Sequence, residues 1–218
     1  MYQFIQQQIL DCEKEIEHVL QEFEAAKNEG VIEPTETPLK PIEKKNKKKN
    51  KNHPLFNVRK YLEKIHGVDV ISIYGVSETA ALEILGETGT DLSRWEHEDK
   101  FVSWLNLCPN NKISGGKLIS SNILKKKPNL ASQAFRTAAN SLLRSDHWLG
   151  DYFRRMKAKG GQKYAIVATA RKLAIIYYKM VRYKKDFTPV DIAQYQEKYR
   201  MAKIAYLERK LLKLKAAA

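Results

Sequence analysis

The sequence predicts a mainly α-helical protein, and three observations support that fold class. Apolar residues recur at intervals of three and four through most of the 218 residues, which is the period of a helix face. Glycine and proline fall largely between these segments, as expected where helices end. No stretch alternates apolar and polar residues over a length that predicts a strand. We expect an N-terminal coiled-coil helix, a disordered basic linker, a compact helical domain and a long C-terminal helix.

Residues 1–29 are predicted to form the coiled-coil helix. Apolar residues occupy the two seam positions of a heptad repeat over about three heptads, which is typical of a coiled coil. These residues are Tyr2, Ile5, Ile9, Cys12, Ile16, Val19 and Phe23. Three heptads give little independent stability. The helix is therefore expected to form a homo-oligomer or to pack on its own domain, and the pattern does not choose between them.

Residues 30–54 are predicted to be a disordered Pro/Lys-rich linker. Four prolines interrupt any helix, and a cluster of lysines keeps the segment extended by self-repulsion. The prolines are Pro34, Pro38, Pro41 and Pro54, and the lysines are Lys44, Lys45, Lys47, Lys48, Lys49 and Lys51. Such a segment can lie along phosphates without recognising sequence.

Residues 55–187 form the predicted compact domain, and its first part has the outline of a helix-hairpin-helix. A short helix over 57–65 ends near Gly67, and a second helix starts at Ala80 after a turn at Gly75. In that element the turn offers backbone N–H groups to a phosphate. Ser77 stands where a second turn glycine is usual, so a plain helical hairpin is the alternative.

The rest of the domain is predicted to be helical around a large apolar core. A helix from Asn129 has an inward stripe, a second covers 148–156, and Gly160-Gly161 separates it from a long helix over 163–183. The inward stripe is Leu130, Ala131, Ala134, Phe135, Ala138 and Leu142. Further core residues are expected to be Trp95, Phe101, Trp104, Leu107, Ile166, Ala170, Leu173, Tyr177 and Val181.

Residues 188–218 are predicted to form a C-terminal helical arm. Thr188 is a suitable N-cap, Pro189 suits the first helical position, and the helix is expected to reach about Lys213. The segment is rich in lysine and arginine, so we expect it to contact a partner or a nucleic-acid backbone.

Composition limits the classes of function. Net charge is +14, from 39 basic against 25 acidic residues, which indicates a polyanionic partner, with a merely basic, solvated surface as the alternative. No apolar run is long enough for a membrane span. The polar first residues lack the apolar core of a signal peptide, and two distant cysteines give no CxxC pair, so we expect a cytoplasmic protein without a metal site.

The segment from Lys112 to Lys117 is the strongest candidate for chemistry. Ser114 lies between two lysines and is followed by Gly115 and Gly116. A serine attacks a phosphodiester only where cations neutralise the phosphate, and glycines allow the backbone to approach closely. An ordinary exposed turn is the alternative. Ser120 or Ser121 would be the nucleophile if this loop folded otherwise.

Two arginine pairs are further candidates for phosphate binding. Arg136 and Arg144 lie on one stripe of the helix that follows Asn129, with Asn140 between them. Arg154 and Arg155 stand near the end of the next helix. Both pairs have the same alternative, a solvated basic face.

From about Leu62 to Phe187 the sequence resembles the carboxy-terminal domain of the bridge-RNA-guided insertion-sequence transposases, whose amino-terminal half is RuvC-like. Matching segments are 75–77, 79–81, 91–95, 101–109, 113–117, 133–144, 152–156 and 168–174. The resemblance implies serine-dependent DNA strand exchange, with Ser114 as the nucleophile that forms a phosphoserine link. The family's magnesium-binding acids lie in the RuvC-like half.

This chain starts at the coiled coil, so it is expected to be a transposase fragment whose acid cluster comes from another polypeptide. No cofactor is expected in the chain itself, and magnesium only with a RuvC-like partner domain. The expected partners are DNA and a structured guide RNA. Two alternatives are a non-catalytic, oligomerising nucleic-acid-binding regulator of a full-length transposase and an RNA-binding protein without DNA chemistry.

Overall fold

A computed structural model describes residues 2–28, 54, 56–123 and 129–216. Its helices and strands are α1 Tyr2–Asn28, α2 Val58–His66, α3 Glu78–Thr88, α4 Glu98–Trp104, β1 Pro109–Ser114, β2 Lys117–Ile123, α5 Leu130–Ser141, α6 Trp148–Tyr183 and α7 Ile192–Ala216. Two 3-10 helices cover Val70–Ser72 and Leu142–Arg144. The predicted mainly helical class, with a long helix at each end, is confirmed.

Two strands are present, although no stretch of the sequence has the alternating pattern that indicates a strand. Strands β1 and β2 pair antiparallel around the turn at Gly115-Gly116. Alternation of apolar and polar residues arises where one face of a sheet is buried. The described side chains of this hairpin are almost all exposed on both faces, so that pattern is missing from its sequence.

Local capping sets the helix boundaries. The side chains of Asn57, Ser77 and Asn129 accept hydrogen bonds from backbone N–H groups at the starts of α2, α3 and α5. The predicted start of the last helix at Thr188 was wrong. Asp191 accepts from the N–H groups of Ala193 and Gln194 at 3.4 and 3.3 Å, so its carboxylate begins α7 three residues later.

The predicted break at Gly160-Gly161 is confirmed within α6. Gly161 has φ +80° and ψ −179°, a conformation outside any helix, so the range Trp148–Tyr183 is two helical segments joined at a kink. Such a φ favours glycine because a Cβ crowds the backbone in that region. The kink lets the second segment pack on α4 and α5 in a different direction from the first.

An aromatic cluster forms the centre of the core where α4, α5 and α6 meet. The ring of Phe101 lies 6.5 Å from Phe135 and 5.6 Å from Tyr178, and Phe135 lies 5.7 Å from Tyr177. All four are fully buried. The Tyr178 hydroxyl donates to the Trp95 carbonyl at 2.6 Å, which satisfies its polar group.

Two residues that were expected in the core lie at the surface. Leu130 is the first residue of α5 and is 55 % exposed, whereas the next residue, Ala131, is fully buried, so Leu130 lies on the outer side of the first turn. Trp104 is 38 % exposed at the end of α4. The remaining predicted core residues are buried, apart from Ile166, which is half-buried.

Gly75 is required for close packing. Its φ is +85°, and a Cβ at this position would lie 2.8 Å from both the Ala138 carbonyl oxygen and the Leu142 Cδ2 atom. The turn between α2 and α3 therefore rests directly on the end of α5. The structure gives this glycine a packing role, and the helix-hairpin-helix assignment stays a prediction.

Helix α1 packs on α2 through one face. Leu20 is buried, the Tyr61 hydroxyl donates to the Glu17 carboxylate at 3.0 Å, and Lys64 pairs with Glu24. Packing of α1 on its own domain was one of the two arrangements left open by the sequence, and it uses a face different from the predicted seam. Of the predicted linker, only Pro54 lies within the described residues. The domain boundaries stay predictions.

Candidate functional site

The candidate serine lies at the tip of the β-hairpin. Ser114 ends β1, Lys117 begins β2, and these two residues pair directly across the two-residue turn. Gly115 and Gly116 have φ of +56° and +73°. Two successive positive φ values characterise the tight hairpin turn that matches the twist of the strands, and glycine adopts them without steric cost.

One face of the hairpin brings together the serine and both lysines. Residues directly opposite each other in an antiparallel pair share a face, and alternate residues of one strand do too. Lys112 pairs with Ser120 and Ser114 with Lys117, while a bulge between these pairs leaves an extra residue in β2. The bulge places Lys117 and Ser120 on the same face, although three positions separate them. The candidate face is therefore Lys112, Ser114, Lys117 and Ser120.

The opposite face has a different character. Asn111 pairs with Ser121, and the Ser121 hydroxyl donates to the Asn111 side-chain oxygen at 2.7 Å. Ile113, also on this face, is 66 % exposed. Of the two alternative nucleophiles, Ser120 thus shares the face of Ser114, whereas Ser121 lies on the other face in a hydrogen bond.

The side chains of the hairpin carry positive charge and no negative charge. Residues 109–123 contain two lysines and no aspartate, glutamate or histidine, and Lys112, Ser114 and Lys117 are all exposed. Such a surface attracts phosphate but offers no group in the hairpin to accept the proton of the serine. Within the described ranges, no cluster of three His, Cys, Asp or Glu side chains is arranged to hold a metal ion.

Arg136 holds the base of the hairpin. Its guanidinium donates to the Asn106 carbonyl at 3.2 Å, and Asn106 has φ +55° in the loop between α4 and β1. Burial lowers the pKa of Arg136, and burial raises the pKa of the Cys108 thiol in the same loop. Cys108 packs against the hydrophobic core, so the loop is held on the helices before the chain leaves the body as β1.

Arg144 lies apart from Arg136. Helix α5 ends at Ser141, and Arg144 is an exposed residue at the end of the following 3-10 helix. The helical stripe that was expected to carry both arginines is interrupted between them. Their joint role in gripping a phosphate stays a prediction.

Arg154 and Arg155 make contacts within the protein. Arg154 donates to the carbonyls of Leu143 and Ser145, at 3.3 and 2.9 Å. Arg155 lies 3.1 Å from the Asp151 carboxylate and stacks 4.0 Å from the ring centre of Tyr199. Arg155 thus joins the start of α7 to α6, while the exposed Arg154 caps the 3-10 helix that precedes α6.

An arginine–tryptophan cluster near the base of the hairpin was missed by the sequence analysis. The Arg94 guanidinium lies 3.8 Å from the ring centre of Trp95 and 5.1 Å from that of the partly exposed Trp104. Stacked arginine and aromatic surfaces of this kind suit nucleic-acid bases. No sequence pattern separates Trp104 from the core aromatics, because its neighbour Phe101 in the same helix is fully buried.

In the part of the chain that the structure describes, none of the helices has the length and hydropathy that a membrane crossing requires. Comparison with the curated proteins gives no match. Residues 69–154 match the model of the family described as "Transposase IS116/IS110/IS902 family". This match, which covers α3, α4, the hairpin, α5 and the start of α6, makes the segment that carries Ser114 similar to transposases of that family.

Proposed function

We propose that this chain is a DNA-binding transposase fragment that supplies a catalytic serine, Ser114, for strand cleavage and exchange. The observation that carries the proposal is the juxtaposition of Ser114 with Lys112 and Lys117 on one exposed hairpin face. That hairpin lies within the segment similar to insertion-sequence transposases.

Each residue of the face has a definite role in the proposal. Lys112 and Lys117 bind the non-bridging oxygens of the scissile phosphate and offset the negative charge that grows in the transition state. Gly115 and Gly116 keep the tip narrow, so that the duplex backbone reaches the serine. Arg136 acts through the loop at Asn106 and positions the hairpin rather than contacting phosphate.

The proposed reaction is a phosphoryl transfer without redox change. The Ser114 Oγ bonds to phosphorus while one bond from phosphorus to a sugar oxygen breaks. The serine proton is lost to a base, and the released sugar oxygen gains a proton. Attack by a hydroxyl of a second strand reverses these steps and frees the serine, so one phosphodiester is exchanged for another.

The base lies outside the hairpin in this proposal, because residues 109–123 contain no acid or histidine. Magnesium, where a RuvC-like domain supplies its acidic ligands, would stabilise charge on the phosphate. DNA is the proposed substrate, a structured guide RNA is a proposed partner, and the chain is proposed to act as a homo-oligomer that involves α1.

A covalent adduct assay tests the proposal. A fluorescent duplex from the DNA flanking the chain's own reading frame is incubated with the chain and a separately supplied RuvC-like polypeptide, then resolved under denaturing conditions. We expect a protein–DNA adduct that Ser114→Ala abolishes, while affinity for the duplex changes less than about twofold because a neutral hydroxyl contributes little to phosphate binding.

Two matched variants control for damage to the hairpin. Ser121→Ala alters a serine on the opposite face and should leave the adduct yield unchanged. Ser120→Ala tests the second serine of the same face. Full adduct yield with Ser114→Ala would refute the proposed nucleophile, and loss with Ser120→Ala alone would transfer the role to Ser120.

The second candidate is a non-catalytic nucleic-acid-binding protein that mixes into the oligomers of a full-length transposase. The absence of an acid or histidine from residues 109–123 favours it, because nothing there activates a serine. It predicts salt-sensitive binding of DNA without any adduct. A preference for structured RNA, unaffected by Ser114→Ala, would instead favour the RNA-binding alternative.

A further inference from the structure

Helix α1 has an apolar seam that no other described residue of the chain covers. The six large apolar residues of the seam are 43–70 % exposed, and Cys12 is exposed with them. These six are Tyr2, Ile5, Ile9, Ile16, Val19 and Phe23. The face that packs on α2 is adjacent to this seam and contains Leu20 and Glu17. A continuous exposed stripe of this kind indicates an interaction surface.

Helix α7 has a second such seam. Its first turns are held on α6 by Arg155, whose guanidinium contacts Tyr195 and Tyr199. Beyond them, four apolar residues at heptad spacing are 41–61 % exposed. These four are Ile204, Leu207, Leu211 and Leu214.

The two helices have opposite charge. Tyr2–Asn28 contains six acidic residues and two lysines, whereas Ile192–Ala216 contains seven basic residues and two acidic ones. Charged residues beside the seam of a coiled coil determine which partner and which orientation are favoured. The compositions therefore favour pairing of α1 with α7 over pairing of either helix with itself.

The position of α2 restricts how α1 can pair. Residues 13 and 20, on one flank of the α1 seam, lie towards α2, and Leu20 is buried there. The other flank has Glu15 and Glu22, both exposed. Two α1 helices that met through this free flank would oppose glutamates, and two α7 helices would similarly oppose Lys203 and Lys210. Pairing between α1 and α7 replaces both repulsions with attraction.

The spacing selects one antiparallel register. The intervals between Ile9, Cys12, Ile16 and Val19 are three, four and three residues, and they match those of Leu214, Leu211, Leu207 and Ile204 in reverse order. This register brings Glu15 towards Lys210 and Glu22 towards Lys203. A shift by one heptad in either direction leaves a single glutamate–lysine pair, Glu15 with Lys203 or Glu22 with Lys210.

We propose that α1 of one copy packs antiparallel against α7 of a second copy, with Cys12 opposite Leu211. Within one chain, α1 packs on α2 and α7 packs on α6, so each helix is attached at a different place on the body. A second copy can cover the apolar seams of both helices, since each copy offers one acidic helix and one basic helix. The proposal does not depend on the chemistry of Ser114.

Disulfide cross-linking of the full chain tests the proposal directly. Cys108→Ser removes the second native cysteine, and Leu211→Cys introduces a thiol opposite Cys12. Unlabelled and ¹⁵N-labelled chains are mixed before mild oxidation, and the cross-linked peptides are identified by mass spectrometry. We expect a disulfide between Cys12 and the thiol introduced at position 211, and we expect it to join peptides of different label.

Leu212→Cys is the matched control, because residue 212 is exposed but lies off the seam. We expect it to cross-link to Cys12 roughly tenfold more slowly than Leu211→Cys, since seam residues lie within disulfide reach. Equal rates, disulfides between two Cys12 thiols only, or disulfides confined to peptides of one label would each overturn the proposal.

A charge exchange measured by sedimentation provides the second test. Glu15→Lys with Glu22→Lys should weaken self-association roughly tenfold, as two attractive pairs become repulsive. Adding Lys203→Glu and Lys210→Glu should restore it. A wild-type chain that is monomeric at about 100 µM, or a quadruple variant no tighter than the double one, would contradict the proposed pairing.

Discussion

The hairpin and the aromatic core differ in how they are held. In the hairpin, the described side chains are almost all exposed, and each strand contacts chiefly the other strand. In the core, Phe101, Phe135 and Tyr177 come from separate helices and are fully buried. Ser114 thus lies on a hairpin that is held mainly by its own strand pairing, whereas the helical body that supports the base of the hairpin is held by contacts between residues distant in sequence. Substitutions in the core should therefore lower the stability of the protein, whereas substitutions in the hairpin should alter DNA binding.

The largest expected effect comes from emptying the core. Phe135→Ala removes a fully buried ring that contacts Phe101 and Tyr177, and should lower the free energy of unfolding by about 3–5 kcal/mol. Ile113→Ala, at an exposed position on the hairpin face opposite Ser114, should change the free energy of unfolding by less than about 0.5 kcal/mol. Thermal unfolding followed by circular dichroism measures both. Similar losses would contradict the separation of the two regions.

Two glycines with positive φ provide a sharper comparison. Gly75→Ala should cost about 1–3 kcal/mol of global stability, because the new methyl would meet the Ala138 carbonyl and Leu142 in addition to the unfavourable φ. Gly115→Ala meets nothing within 4 Å, so its strain of about 1–2 kcal/mol should open only the hairpin.

Hydrogen exchange distinguishes these two outcomes. For Gly115→Ala, amides of β1 and β2 should exchange roughly tenfold faster while the melting temperature of the body is unchanged. For Gly75→Ala, the melting temperature itself should fall. A fall of equal size in both variants would show that the hairpin and the body unfold together.

The lysines of the hairpin should affect DNA binding without affecting stability. Lys112→Ala and Lys117→Ala should each reduce the slope of log affinity against log salt by about 0.9, the value for one duplex phosphate. Lys179→Ala is the control, because Lys179 of α6 already pairs with Glu98 of α4 at 3.0 Å. Fluorescence anisotropy of a labelled duplex at several salt concentrations gives the slopes. Equal slopes for all three variants and the wild type would refute phosphate contacts by the hairpin.

The smallest expected effect is a pH dependence confined to the body. Burial lowers the pKa of His147, which stacks 4.0 Å from the ring centre of Tyr74. Because the unfolded chain then binds a proton more readily, this contribution to stability is complete above about pH 6.5 and is lost as pH falls below it. The hairpin contains no group that titrates in this range.

His147→Phe keeps a ring against Tyr74 but cannot be protonated. The fall in melting temperature between pH 7.5 and pH 5 should therefore be smaller for this variant than for the wild type. An identical fall in both proteins would show that His147 does not contribute.

Much of the helical architecture was predictable from local patterns. The spacing of apolar residues and the positions of glycine depend on neighbouring residues alone. They were enough to predict α2 with its end at Gly67, the break at Gly161, and the buried stripes of α5 and α6. The start of α7 was misplaced because Thr188 and Asp191 are both good N-caps, and the choice depends on how the chain leaves α6. Capping preferences rank residues but do not choose between two adequate ones.

The candidate site, too, was predictable from the sequence only in part. Ser114, its flanking lysines and the two glycines could be identified as a set from the sequence alone, since they are consecutive residues whose chemistry is independent of fold. Their arrangement as a hairpin tip, with both lysines on the serine's face, emerges only in the folded chain, because a bulge changes which side chains share a face. Folding also turns Arg155 towards Asp151 and Tyr199, and Arg136 towards Asn106. The direction of a long side chain depends on what packs beside it, and for both arginines that includes residues thirty or more positions away.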